Sequence, residues 1–148
     1  MLFRSLINEL IAHGISPRVT LSTSTSAEDF VVDHSKVSFE TFMPYNVLLD
    51  GIDIVLAHGG AGTVLGALAA GLPLVLVPQG ADQGGQTARA AAAGAAVHIP
   101  ADAADPAAVV RAVLDAAKDP DYRRDARKLA RSIAAMPSSD EVAARLAS

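Results

Sequence analysis

IDIVLAHGGAGTVLGALAAGLPLVLVPQGADQ, residues Ile52–Gln83, is the stretch whose reading decides the fold. It opens with Ile52, Ile54, Val55 and Leu56, an apolar β-rich run suited to a strand buried on both faces. His58-Gly59-Gly60-Ala61-Gly62-Thr63 then turns the chain into a segment of helical composition, Val64 to Ala70, whose helix begins near Gly62-Thr63. Gly71 occupies the position after a helix end that favours a left-handed residue, and Pro73 stops any continuation. A second apolar strand, Leu74 to Val77, ends at Pro78, and the loop behind it delivers Asp82 and Gln83. This is a βαβ unit, and it predicts an α/β fold with a mainly parallel sheet. Ligands of open parallel sheets lie beyond the carboxyl ends of the strands, where the glycine turn and Asp82-Gln83 both fall.

The turn admits two readings. In the first it is a phosphate cradle. Glycines let the backbone approach a ligand, and the helix start offers unpaired N–H groups with a partial positive charge. An anion there gains roughly 0.3–2 kcal/mol from the helix dipole. Thr63 adds a hydroxyl and His58 an imidazole able to donate to a phosphate oxygen. In the second reading the glycines merely serve a tight turn and His58 is an ordinary loop histidine. Asp82 and Gln83 favour the first, because a carboxylate and an amide at the same sheet edge suit sugar hydroxyls. A phosphate cradle beside a hydroxyl-reading pair describes a nucleotide-sugar site.

Residues 58–96, HGGAGTVLGALAAGLPLVLVPQGADQGGQTARAAAAGAA, resemble the donor-binding signature of the GT-B, UDP-glycosyltransferase-like superfamily (glycosyltransferase family 1), in its bacterial macrolide- and antibiotic-type form. The histidine-glycine turn, the Ala-Ala-Gly-Leu-Pro link, the Val-Pro ending and the Asp-Gln pair stand in that family's order. Phe42-Met43-Pro44 resembles the aromatic-x-Pro before the helix that lines its base pocket. The resemblance implies the Rossmann-like carboxyl half of a GT-B fold, a mainly parallel sheet with helices on both faces. Residues 1–148 are expected to be one nucleotide-sugar-binding domain lacking its first strand, with the amino-terminal acceptor domain absent from this chain.

The activity so implied is inverting transfer of a hexose or deoxyhexose from a UDP- or dTDP-sugar to a hydroxyl of a small-molecule acceptor, such as a natural product in antibiotic biosynthesis. Residue by residue, the resemblance assigns the diphosphate to His58, Gly59, Gly60, Ala61, Gly62 and Thr63, the sugar to Asp82 and Gln83, and the base to Phe42, Met43 and Tyr45. It implies no metal and no cofactor, the nucleotide-sugar being a substrate. The general base is expected on the missing acceptor domain, supplied in cis or in trans, so this chain alone should bind donor weakly and not turn over. Two positions depart from the family pattern. Tyr45 stands where a Gln is usual, and Gly66 where many relatives carry a Glu that binds ribose hydroxyls. That Glu would supply a charge-assisted bond of order 1.5–3 kcal/mol. Its loss keeps open an alternative, a non-catalytic nucleotide-sugar or partner-binding module.

Composition agrees. The 148 residues suffice for one domain with a real core, built from Ala, Val and Leu, since 51% are hydrophobic and only 4% aromatic. A net charge of -4 argues against a nucleic-acid partner, and the absence of cysteine excludes disulfides and thiolate chemistry. Nothing resembles a signal peptide, and no apolar run reaches about 18 residues without Gly or Pro. A cytoplasmic domain with no membrane partner is expected.

Toward the amino terminus, Phe3, Leu6, Ile7, Leu10 and Ile11 recur at helical spacing before His13-Gly14. Pro17 to Ser22 reads as a strand, Ser26 to Asp29 as a helix start, and Val37 to Phe42 as a strand leading to Pro44. Phe42 is either a stacking platform for a base or a core residue. Toward the carboxyl terminus come a helix from Gly84 to Ala93, a strand from Ala95 to Ile99, and a helix opened by Asp105-Pro106 and running to Lys118. Asp119-Pro120 opens a basic helix, Asp121 to Ala134, and Ser138 with Glu141 forms a capping box for a last short helix. Arg123, Arg124, Arg127 and Arg131 either meet the other domain or form a solvated helix face, and the latter is the commoner case.

Competing motifs fit less well. Asp119-Pro-Asp121 spells Asp-x-Asp, a metal motif elsewhere, yet sits where aspartates cap helices. No lysine occurs between Lys36 and Lys118, so the glycines are not a Walker loop. A dinucleotide-binding domain is the weaker alternative: Gly60-x-Gly62 begins its pattern, but the third glycine is due at Leu65. His13, His34 and His98 read as loop or strand residues without catalytic partners.

Overall fold

A computed structural model of the chain describes residues 2–80 and 82–147. Met1, Ala81, Ser148 and the side chains of Leu2 and Phe3 lie outside the described residues, and with them the expected place of Phe3 on the first apolar face. The elements run α1 (Leu2–Ala12), β1 (Arg18–Thr20), a 3-10 turn (Ala27–Asp29), β2 (Ser38–Glu40), α2 (Tyr45–Leu48), β3 (Val55–Ala57) and α3 (Ala61–Ala69). They continue with β4 (Leu74–Leu76), α4 (Gln83–Ala92), β5 (Ala96–His98), a second 3-10 turn (Ala101–Ala103), α5 (Pro106–Lys118), α6 (Pro120–Ala134) and α7 (Ser139–Leu146). The fold is α/β and every strand pair is parallel.

Among the described residues the strands form two sheets rather than one. β1 pairs with β2, Val19 opposite Phe39, while β3, β4 and β5 form a second sheet in that order. In the latter, Val75 at the centre lies between Leu56 and Val97. The two-residue period of β4 splits the core. Val75 and Val77 pack with Leu6 and Leu10 of α1 and Val109, Val110 and Val113 of α5. Leu74 and Leu76 face the other way, toward Val64, Ala67 and Leu68 of α3, Ala90 of α4 and Ala126 of α6. All three residues of β4 are fully buried, and each such Val or Leu contributes about 1.5–3 kcal/mol. The three-stranded sheet thus carries helices on both faces, as the sequence predicts.

Boundaries differ from the expectations where pairing partners set them. The strand expected from Ile52 begins only at Val55, because the Ile52 N–H donates to the Leu49 carbonyl (3.2 Å) and closes the turn after α2. β3 is also half-buried rather than buried on both faces, since it is an outer strand of its sheet. β2 is shorter than Val37 to Phe42 because its partner is short: the Leu21 N–H bonds the Glu40 carbonyl (2.8 Å), and beyond it the chain turns at Ser22. Gly71, at φ +71°, ends α3 as expected, and a Cβ there would lie 3.2 Å from Cγ of Arg127. The Ser138–Glu141 capping box is formed in both directions, at 3.2 and 2.7 Å.

The arginines of α6 are not simply a solvated face. Arg123 donates to the Asp53 carbonyl (2.9 Å), tying α6 to the approach to β3, and the stem of Arg127 packs on Gly71. Arg124 pairs with Asp121 (2.7 Å) and Asp125 (3.2 Å) on its own helix. No described helix is long and apolar enough to cross a membrane.

Candidate functional site

β3 and β4 are parallel, so the His58–Gly60 turn and the Gln79–Asp82 loop leave the same edge of the sheet. They also touch. Gly59 is buried with φ +90°, and a Cβ on it would collide with Oγ1 of Thr87 and lie 3.3 Å from the Gln83 carbonyl oxygen. Glycine is therefore required at 59 on two grounds, a left-handed backbone and contact with α4.

α3 starts at Ala61 on an N-cap glycine, Gly60, that offers no side-chain cap. The first helical bond runs from the Val64 N–H to the Gly60 carbonyl (3.0 Å). The N–H groups of Ala61, Gly62 and Thr63 precede it and point out of the helix end, where the dipole is positive. The exposed imidazole of His58 accepts the Gly60 N–H at Nδ1 (3.3 Å). The neutral ring then carries its proton on Nε2, leaving that atom as a donor.

Asp82 and Gln83 need a correction in detail. They are the N-cap and first residue of α4 rather than loop residues before it. The Asp82 carboxylate is exposed and makes no capping bond. The Gln83 side chain is partly committed: its Oε1 accepts the Gln79 N–H (2.8 Å) and staples the loop, which leaves the NH2 group and the second lone pair of Oε1 for a ligand.

On the far side of α3 stands α2. The hydroxyls of Tyr45 and Thr63 are 3.1 Å apart in a hydrogen bond. The Tyr45 ring lies over Gly66, where a Cβ would fall 2.8 Å from Cδ2, 3.0 Å from Cγ and 3.1 Å from Cε2. The two departures from the family pattern are therefore one arrangement, because the phenol occupies the space a side chain at 66 would need. Phe42 lies beyond β2 and is 98% exposed, which overturns the core reading, while Met43 is half-buried.

Other sequence candidates stay apart. The His13 Nδ1–H donates to the Glu9 carbonyl (2.9 Å) and His34 lies against Phe39, so both have local partners. Asp119 caps α6 by accepting the Asp121 N–H (2.9 Å), as expected of its Asp-x-Asp. Among the described residues no cluster of three or more His, Asp or Glu side chains is placed to hold a metal ion. Leu65, where the dinucleotide pattern wants glycine, is 57% exposed. Sequence reading missed Thr87, whose buried Oγ1 lies under Gly59 without a partner among the described residues. Its only signal was position: it lies three residues from Ala90, on the buried face of an alanine-rich helix.

Residues 19–148 match the family described as "Erythromycin biosynthesis protein CIII-like, C-terminal domain". The chain is 33% identical over 124 residues to UDP-glycosyltransferase 2 of Phaeomoniella chlamydospora, covering 84% of this chain and 27% of that protein. It is 33% identical over 108 residues to erythronolide mycarosyltransferase of Saccharopolyspora erythraea, covering 71% of this chain and 25% of that one. Among solved structures, the SsfS6 glycosyltransferase of Streptomyces sp. SF2575 superposes with a TM-score of 0.79 at 26% identity, over 99% of this chain and 38% of its own. The chain thus spans well under half the length of these relatives.

Proposed function

The chain belongs to the erythromycin biosynthesis protein CIII-like C-terminal domains, macrolide-type UDP-glycosyltransferases of the GT-B fold, and from that membership we propose that it is the nucleotide-sugar-binding half of an inverting glycosyltransferase. Its donor is a UDP- or dTDP-activated hexose or deoxyhexose, and its acceptor a hydroxyl of a small natural product. The observation that carries the reading is the contact of Gly59 with Gln83 and Thr87. It sets the turn after β3 against the start of α4, whose N-cap is Asp82, and so supports one site for both.

On this reading the diphosphate lies at the N–H groups of Ala61, Gly62 and Thr63, beside Gly59 and Gly60, with Nε2 of His58 donating to it. The acceptor oxygen attacks the anomeric carbon as the bond from that carbon to the diphosphate breaks, and the electron pair leaves with the nucleoside diphosphate. The acceptor's proton passes to a base on an acceptor domain outside this chain. Charge grows on the leaving group, so fixed donors there lower the barrier, and a metal is not required for that role. Asp82 and the NH2 of Gln83 orient the sugar ring. Phe42, Met43 and the exposed part of Tyr45 receive the base, Phe42 by stacking.

The test is a titration of the 148-residue chain with UDP, dTDP and NAD, followed by amide shifts in NMR spectra, which register weak binding. UDP or dTDP should shift the amides of residues 58–63 while NAD does not. Preferential binding of NAD, or shifts remote from the turn, would overturn the reading.

A further inference from the structure

α2 is a single turn, too short to stand as a helix on its own. It is fixed at both ends. At its carboxyl end Nη1 of Arg18 donates to the carbonyls of Leu48 (2.7 Å) and Asp50 (3.0 Å). At its amino end the Tyr45 ring covers Gly66, with three ring atoms within 2.8–3.1 Å of where a Cβ would stand, and its hydroxyl bonds that of Thr63. Thr63 lies in the first turn of α3, among the N–H groups that have no helical acceptor. A threonine hydroxyl in mid-helix can bond back to the carbonyl four residues earlier, but for Thr63 that residue is Gly59, which precedes the helix. The Tyr45 hydroxyl gives it a different partner, and so sets its direction.

We propose that Tyr45 is a positioning residue for the anion cradle: its ring on Gly66 and its hydroxyl on Thr63 aim the Thr63 hydroxyl at the open end of α3. The proposal rests on the reading that a nucleoside diphosphate docks at that end. It makes donor binding depend on a side chain outside the glycine turn, and it makes glycine at 66 a steric requirement of the Tyr45 ring.

The experiment is a double-mutant cycle on the 148-residue chain, with UDP and dTDP as probes and NMR titration as the readout. Tyr45→Phe should weaken binding roughly three- to tenfold, the worth of one hydrogen bond, with the unfolding midpoint unchanged. Thr63→Val should cause a similar loss, and Tyr45→Phe added to it no further loss. Gly66→Ala, which pushes the ring aside, should reproduce the loss by an independent route. If the Tyr45→Phe and Thr63→Val losses multiply, or Tyr45→Phe leaves affinity unchanged, the positioning role is overturned while the site reading stands. If the wild-type chain binds neither nucleotide, the site reading fails and takes the positioning role with it.

Discussion

Thr87 is the buried hydroxyl whose place in the fold carries a cost. Its Oγ1 is fully enclosed against Gly59 and has no hydrogen-bond partner among the described residues. An unsatisfied buried polar group costs about 1–3 kcal/mol. Thr87→Val keeps the branched shape and removes the hydroxyl, so urea denaturation should show it stabilised by about that amount. No gain would mean that the hydroxyl has a partner in solution. At this scale the sequence was legible where chemistry is local. His58, the glycines and Asp82 announce themselves by type and spacing. It was opaque where two distant side chains divide one space: Tyr45 and Thr63 are 18 residues apart, and nothing in either neighbourhood encodes their bond. The engagement of Gln83 with the Gln79 N–H was hidden for a related reason, since a loop's path decides whether an amide is free.

The helices were the most legible elements, because their ends carry explicit chemistry. Asp105 accepts the Ala108 N–H at Oδ1 (2.9 Å), with Pro106 at the first helical position. α5 then backs the sheet with Val109, Val110, Val113 and Ala116. Asp105→Ala should lower stability by about 0.5–2 kcal/mol in thermal or urea unfolding. A null result would show that packing of α5 alone fixes its start. Strand ends were less legible, because a ladder stops where its neighbour stops. Val37 and Phe42 look as strand-like as Phe39, but β1 offers only three partners.

For the whole molecule, the layered arrangement was readable from the alternation in Leu74 to Val77 and the helical faces on either side. Continuity of the sheet was not. Whether two strands lie side by side depends on what stands between them, which no local pattern states. β3 hydrogen-bonds to β4 alone among the described strands, and β1 and β2 pair only with each other. Each of these strands therefore presents a flank of backbone N–H and C=O groups that no described strand takes up. Such a flank is a template onto which an extended segment of another polypeptide anneals. Light scattering across a dilution series should accordingly show self-association that grows with concentration, and a strictly monomeric chain throughout would show the flanks to be shielded. Copies that zip together in this way would make handling at low protein concentration, or a supplied complementary strand, the condition for keeping the chain in its single-copy form.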